Sequence, residues 1–171
     1  MTETGTNGEA RTWVAALADP SRRDAAFAAL VALGPAARAA VHEGLGDGRW
    51  EVRRWCLYWL LRFAAAEDAA HVAPLVRDPR ARVRHAAMVV LRLAGGAAGG
   101  SEVVPMLLVR ALEDESLRVR RQAVLLLAWE FAHPDLENFF ADLLARERDP
   151  TLHKYAGMGL VRCRAAEAQP C

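Results

Sequence analysis

Lysine is nearly absent from this chain, and cysteines and aromatic residues are few. Of 22 cationic residues only Lys154 is a lysine, and aromatic residues make up 7% of the 171 positions. The strong preference for arginine is typical of GC-rich coding sequences, or of selection for bidentate contacts with anions. The three cysteines lack metal-ligand spacing and one is the last residue. They therefore predict neither a disulfide framework nor a zinc site, and suit a reducing compartment.

Signals for export or membrane insertion are also missing from the sequence. The N-terminus has no basic start followed by an apolar stretch, and no apolar run approaches ~18 residues. A formal net charge of +1 excludes a globally basic nucleic-acid-binding protein but leaves local patches open. We therefore expect a cytoplasmic protein without a membrane partner.

Patterns that carry catalysis or bind metals are not found either. His42-Glu43 is a single pair, and the other histidines have no neighbours at ligand spacing. The Gly/Ala run 95–100 is followed by no lysine, which predicts a connector and hinge rather than a phosphate loop. We predict no catalytic residue, no metal and no cofactor.

The sequence is rich in helix-forming residues and contains a repeat. Hydrophobic residues make up 53% of the chain, dominated by Ala and Leu, which favours helices over sheets. A turn that begins with an aspartate recurs at Asp19, Asp47, Asp78, Asp114 and Asp149. These aspartates lie 28, 31, 36 and 35 residues apart. That period predicts helix–turn–helix units.

Each turn is followed by apolar residues at helical spacing. In the three inner repeats a Val, a small residue and a Leu lie four apart: Val52, Cys56, Leu60; Val83, Ala87, Leu91; Val119, Ala123, Leu127. The outer turns are two residues shorter and continue into Ala26 and Leu30, and into Ala156 and Leu160. Such a stripe predicts one buried face on each second helix, and the aspartate can end one helix and cap the next.

The repeat predicts ten helices in one domain. The predicted first helices are 9–18, 35–45, 67–77, 101–113 and 134–147, and the predicted second helices are 21–33, 49–65, 80–94, 116–132 and 151–165. We expect a flexible tail at 1–10, a single domain over 11–165 and a second tail at 166–171.

The Asp…Val-Arg signature, followed by a small residue and Leu, resembles HEAT repeats, particularly the short repeats of phycobilisome lyases. The resemblance implies an all-α fold, a right-handed α-solenoid of about five helical hairpins. It also implies a ladder in which the Arg after each Val bonds to turn acids. The ladder residues would be Asp47, Arg53, Asp78, Arg84, Asp114 and Arg120.

In solenoids of this kind the second helices line the concave surface, and the residue after the ladder arginine should face outward there. The outward positions form a mostly cationic stripe, which is either a solvated helix face or a binding surface. The residues expected to contact a partner are Arg54, Tyr58, Arg62, Arg82, His85, Arg118 and Arg121.

Aromatic residues concentrate in the second repeat, as Trp50, Trp55, Tyr58 and Trp59. Two interpretations are open, because large rings often fill gaps in an Ala-rich core. They also stack on bases, or anchor a protein partner between cations. On the second interpretation Trp50, Trp55 and Trp59 form an aromatic groove.

The sequence favours a non-enzymatic adaptor that binds another protein or an acidic peptide on a cationic concave face. The first alternative is a nucleic-acid-binding protein, since the stripe also resembles the groove of HEAT-like alkylpurine DNA glycosylases. The second is a site or enzyme for a small anion. We expect a monomer or a weak dimer formed through the ends of the solenoid.

Overall fold

The computed structural model describes residues 3–95 and 102–167, and every regular element in these ranges is helical. The prediction of an all-α protein is therefore confirmed. Most of the connector predicted at 95–100, apart from Gly95, lies outside the described residues, as do residues 168–171 of the predicted C-terminal tail.

Ten α-helices follow one another within the described ranges. They are α1 (Glu3–Ala16), α2 (Arg23–Leu33), α3 (Arg38–Gly44), α4 (Trp50–Phe63), α5 (Asp68–Val72), α6 (Ala81–Leu93), α7 (Val103–Glu113), α8 (Leu117–Glu130), α9 (Glu137–Arg146) and α10 (Pro150–Glu167). Short 3₁₀ segments at Gly34–Ala37, Ala73–Arg77 and Pro134–Leu136 complete three of the first helices. Apart from the start of α1, the bounds lie within a few residues of those that the sequence predicted.

The N-terminal helix corrects the prediction of a tail at 1–10. Helix α1 begins at Glu3, and Ala10 is fully buried. Ala10, Val14 and Leu17 lie on one buried face of this segment at helical spacing. Burial of this face outweighs the low helix propensity of Gly5 and Gly8, which suggested a loose segment. At the other end α10 continues to Glu167, two residues into the second predicted tail.

Contacts divide the chain into two compact units, unit 1 (Met1–Ala94) and unit 2 (Gly95–Cys171). In unit 1, α1 packs against α2 and α3, α2 packs against α4, and α4 packs against α6. In unit 2, α8 packs against α7 and α10, and α10 also packs against α9. Within each unit, successive second helices are therefore neighbours.

The predicted apolar stripes form the core of each unit. Of the thirteen predicted positions, all but Leu160, which is half-buried, are completely buried. Burial raises the pKa of the Cys56 thiol to about 12, with a further contribution from the charge of Asp47. Cys56 is thus a packing residue rather than a reactive thiol.

The five aspartate turns share one hydrogen bond. In each, the aspartate Oδ1 accepts from the backbone N–H two residues later, at Ser21 (2.9 Å), Arg49 (2.8 Å), Arg80 (2.8 Å), Ser116 (2.9 Å) and Thr151 (3.1 Å). This is the local bond that favours aspartate in tight turns. The prediction that an aspartate forms each turn is confirmed. The prediction that it caps the next helix is wrong for α2, α4, α6 and α8, whose N-cap residues are Arg22, Arg49, Arg80 and Ser116, whereas Asp149 does bond to the Leu152 N–H in α10.

One segment, Arg23–Gly44, has the length and apolar composition of a membrane-spanning helix, with a mean hydropathy of 1.4. It is not a continuous α-helix, because a 3₁₀ segment that begins at Gly34 separates α2 from α3. Gly34 has a φ of 56°, which interrupts the helical backbone. Helix α2 buries Ala26 and Leu30 in the core of unit 1. Length and composition alone are weak support for a membrane span.

Candidate functional site

Arg53, the first arginine predicted in the ladder, ties one turn to the next. Its Nε lies 2.6 Å from the Oδ2 atom of Asp78, which belongs to the following turn. Its Nη1 donates to the carbonyl oxygens of Asp47 (2.8 Å) and Gly48 (3.1 Å) in its own turn. Because these hydrogen bonds are all made within the protein, we assign Arg53 a structural role.

Arg84 and Arg120 hold their own turns in the same way. The Arg84 Nη1 donates to the carbonyls of Asp78 (2.9 Å) and Pro79 (3.2 Å). The Arg120 Nη1 reaches the carbonyl of Asp114 only at 3.4 Å. The bond from the arginine to its own turn is thus repeated in all three inner repeats, and it is weakest at Arg120.

Arg121, predicted to contact a partner, is instead held in an ion pair with Asp149. Its Nε donates to Oδ1 at 3.0 Å and its Nη2 to Oδ2. We attribute this to the shorter last turn, in which Asp149 directly precedes α10 and also caps Leu152 at 2.9 Å. Arg121 therefore takes the role that the sequence assigned to Arg120.

The Arg121–Asp149 pair makes stability depend on pH. The hydrogen bond from Arg121, followed by that from the Leu152 N–H, lowers the pKa of Asp149 from its ordinary 3.8 to about 2. A lowered pKa means that the stabilisation is complete above pH 3.8 and is lost as the pH falls toward 2. We expect wild type to melt at a higher temperature than Asp149→Asn at neutral pH, and the difference to shrink through this window. A difference that does not change with pH would contradict the pairing.

The aromatic residues on the outward side of α4 are covered by arginines. The Arg54 guanidinium lies 4.8 Å from the centroid of the Tyr58 ring, and its Nε donates to the Tyr58 hydroxyl at 2.7 Å. Arg54 and Arg80 each lie 5.9 Å from the Trp50 ring centroid. Arg80 precedes α6, so this cluster connects the N-terminal ends of two neighbouring second helices.

The predicted aromatic groove is wrong for Trp59. The Trp59 side chain is fully buried and its indole N–H donates to the Leu30 carbonyl at 2.9 Å. Trp55 is half-buried and packs edge-on against Phe27 at 5.0 Å and Tyr58 at 5.3 Å. Trp50 and Trp55 thus border the surface, whereas Trp59 fills the core, as the alternative interpretation allowed.

The remaining predicted contact residues lie on the second helices. Arg62 on α4 and Arg82 on α6 are exposed, and within residues 3–95 neither makes an ion pair. His85 is half-buried on α6. We call the surface formed by Arg54, Tyr58, Arg62, Arg82 and His85 the α4–α6 face.

In unit 2 the second helices expose apolar residues that the sequence analysis missed. Trp129 on α8 is 49% exposed and Val161 on α10 is 68% exposed. The Arg162 guanidinium lies 5.2 Å from the Trp129 ring centroid. Predicted contact residue Arg118 is exposed on α8. Trp129 lies eleven residues, about three helical turns, after Arg118, a spacing that could have identified it.

A buried charged cluster was also missed. The Asp68 side chain is completely buried. Both of its carboxylate oxygens accept from the Arg38 Nη1, and its Oδ1 lies 2.7 Å from the His42 Nε2 atom. The His42 ring stacks on that of His71, with centroids 3.9 Å apart. Burial alone would raise the pKa of Asp68, but the hydrogen bonds from Arg38, the Ala65 N–H and His42 together lower it. The cluster joins α3 to α5.

Within the described residues no group of three or more His, Cys, Asp or Glu side chains is arranged to hold a metal ion. No known family model matches the chain, and no curated protein matches it. Among solved structures it is similar to the crystal structure of an engineered protein from the Northeast Structural Genomics Consortium. That match has a TM-score of 0.64 and 17% identity, covering 93% of this chain and 81% of the other. At this identity the likeness shows a shared fold alone.

Proposed function

We propose that the chain is a HEAT-like α-solenoid of about five hairpins, from α1 to α10, that acts as a non-enzymatic adaptor. The five turns with the same aspartate hydrogen bond, and the second helices packed side by side within each unit, support the repeat. Stacked repeats present extended surfaces that suit protein partners.

The observation that carries the proposal is the positive charge of Arg62 and Arg82 on the α4–α6 face. Arg62 and Arg82 are exposed without an ion pair in the described part of unit 1, and Glu51 is the one acid on α4 and α6. Asp47 and Asp78 are turned away into their turns, and Asp68 is buried. The face is therefore cationic within a nearly neutral chain, and suits an acidic partner.

The same face also contains apolar surface. Tyr58 is half-exposed beside Arg54, and Leu93, eleven residues or about three helical turns after Arg82 on α6, is 48% exposed. A partner helix or peptide that combines acidic and apolar residues would match both features. Nucleic acid fits less well, because guanidinium groups already lie over the rings of Trp50 and Tyr58 on which bases would stack.

The test is a fluorescence anisotropy titration with a short labelled peptide in which Glu and Leu recur at helical spacing. We expect binding that weakens with added salt, because the charges meet at the surface. The double variant Arg62→Glu, Arg82→Glu should bind at least about tenfold more weakly, which corresponds to about 1.4 kcal/mol. Far-UV circular dichroism should be unchanged, since both side chains are exposed.

The matched control is the double variant Arg22→Glu, Arg77→Glu. It makes the same change of charge at exposed arginines that lie outside α4 and α6. Equal loss in both double variants, or equal affinity for the same peptide with Gln in place of Glu, would refute the α4–α6 face as the binding surface. Tighter binding of a labelled single-stranded DNA, lost in the Arg62→Glu, Arg82→Glu variant, would replace the adaptor with the nucleic-acid alternative.

A further inference from the structure

A groove of about 270 Å³ opens between α7 and α9 of unit 2, away from the second-helix surfaces described above. Its apolar wall is formed by Leu112, Phe139 and Leu143. Leu112 is 60% exposed at the rim, where it extends the apolar wall to the surface. A single arginine, Arg120, reaches this groove from α8.

Arg120 has no carboxylate partner among the described residues, unlike Arg53, the equivalent arginine of the second repeat. Arg53 pairs with the aspartate of the next turn, but the equivalent Asp149 is occupied by Arg121. Arg120 retains one long bond, at 3.4 Å, to the carbonyl of Asp114. Its Nε is buried and has no hydrogen-bond acceptor among the described residues. A buried donor without an acceptor is costly, so an acceptor that reached this guanidinium would be favoured.

The other charged groups of the groove already have partners. Arg146 pairs with Asp142, one helical turn earlier on α9. The Glu147 carboxylate accepts from the backbone N–H groups of Arg148 (2.9 Å) and Asp149 (3.0 Å). Arg120 is therefore the arginine of the groove that has no carboxylate partner among the described residues.

We propose that the groove between α7 and α9 binds a carboxylate attached to an apolar group. Arg120 lines the groove, and its planar guanidinium can pair with a carboxylate through charge-assisted hydrogen bonds. The apolar group would lie on Leu112, Phe139 and Leu143. Either a free acid or the C-terminal residue of a peptide with an apolar side chain supplies this chemistry. The site is independent of the adaptor surface, because none of its residues lies on α4 or α6.

The experiment is a titration of ¹⁵N-labelled protein, followed by the NMR shifts of backbone amides in α7 and α9. The probes are hydrocinnamate as a free acid, acetyl-alanyl-leucine as a peptide C-terminus, and the neutral amide of each. We expect a Kd of about 1 mM or tighter for at least one acid, a value within reach of a ligand of this size. Its amide should bind at least about tenfold more weakly, because the guanidinium then loses the charged partner. The acid that binds more tightly identifies the source of the carboxylate.

Two variants and a control complete the test. Arg120→Met should weaken binding of the acid about tenfold or more, whereas Arg118→Met, the same change at an exposed residue of the same helix, should not. Leu112→Glu places a negative charge on the exposed rim without altering the core, and should also weaken binding of the acid. Acid and amide binding equally, Arg120→Met binding as well as Arg118→Met, or no shifts with either acid would each overturn the proposal.

Discussion

Replacing Asp68 with Asn will lower the free energy of unfolding by about 3–5 kcal/mol, the usual cost of removing one partner from a buried ion pair. The Asp68 side chain is completely buried and receives hydrogen bonds from Arg38, His42 and the Ala65 N–H. Arg38 is itself only 17% exposed, so the variant leaves a largely buried guanidinium without its carboxylate. Its bond to the Phe63 carbonyl, at 2.8 Å, cannot replace the lost charge.

The matched control is Glu67→Gln, next to Asp68 in sequence. Glu67 also lies 3.0 Å from the Arg38 Nε atom, but its side chain is 65% exposed, so we expect a loss of less than about 1 kcal/mol. Both variants remove one negative charge close to the same arginine, and they differ in burial. Urea unfolding followed by circular dichroism measures both. A loss at Asp68 no larger than that at Glu67 would show that the buried cluster does not stabilise unit 1.

The sequence could not have predicted the Asp68 cluster. Asp68 follows three alanines and Glu67 at the start of a short helix, where an acid usually faces solvent near the positive end of the helix. Its partners Arg38 and His42 lie 30 and 26 residues earlier. No local pattern encodes a pairing over that distance, since it depends on which faces of α3 and α5 meet.

Local interactions, in contrast, were predictable. The bond from Asp47 to the Arg49 N–H spans two residues and depends on the chemistry of aspartate in a turn. Burial of Val83 and Ala87 on one side of α6 follows from their spacing of four residues. For this reason the helix bounds and the core agree with the sequence, whereas the tail assigned to 1–10 does not.

The candidate contact surface was predicted only in part, because the position of an arginine along its helix does not show whether it forms an ion pair. Arg82 is exposed as expected, but Arg121, which was also predicted to face outward, forms an ion pair with Asp149. Trp59 lies at the border between the outward and buried sides of α4. Its side chain is in the core, where it is buried and donates a hydrogen bond to the Leu30 carbonyl. The shorter last turn was visible in the sequence, but its effect on the pairing of Asp149 was not.

Two glycines of α10, two residues apart, show how packing reverses a helix-propensity effect. Ala is more favourable than Gly in a helix by about 1 kcal/mol. At Gly157 an added Cβ meets no atom within 4 Å, so Gly157→Ala should raise the free energy of unfolding by about 0.5–1 kcal/mol. At Gly159 the Cβ would lie 2.5 Å from the Cε1 and Cζ atoms of Phe140, a fully buried ring.

We therefore expect Gly159→Ala to lower the free energy of unfolding by about 1–3 kcal/mol, because Phe140 can yield only by displacing its own neighbours in a packed core. Phe139, whose ring centroid lies 5.1 Å from that of Phe140, restricts one direction of movement. Urea unfolding of both variants gives effects of opposite sign if α9 and α10 pack as described. Stabilisation by Gly159→Ala, as at Gly157, would mean that the α9–α10 contact is looser than this geometry. It would also weaken the assignment of the groove beside Phe139, since that groove depends on the position of α9.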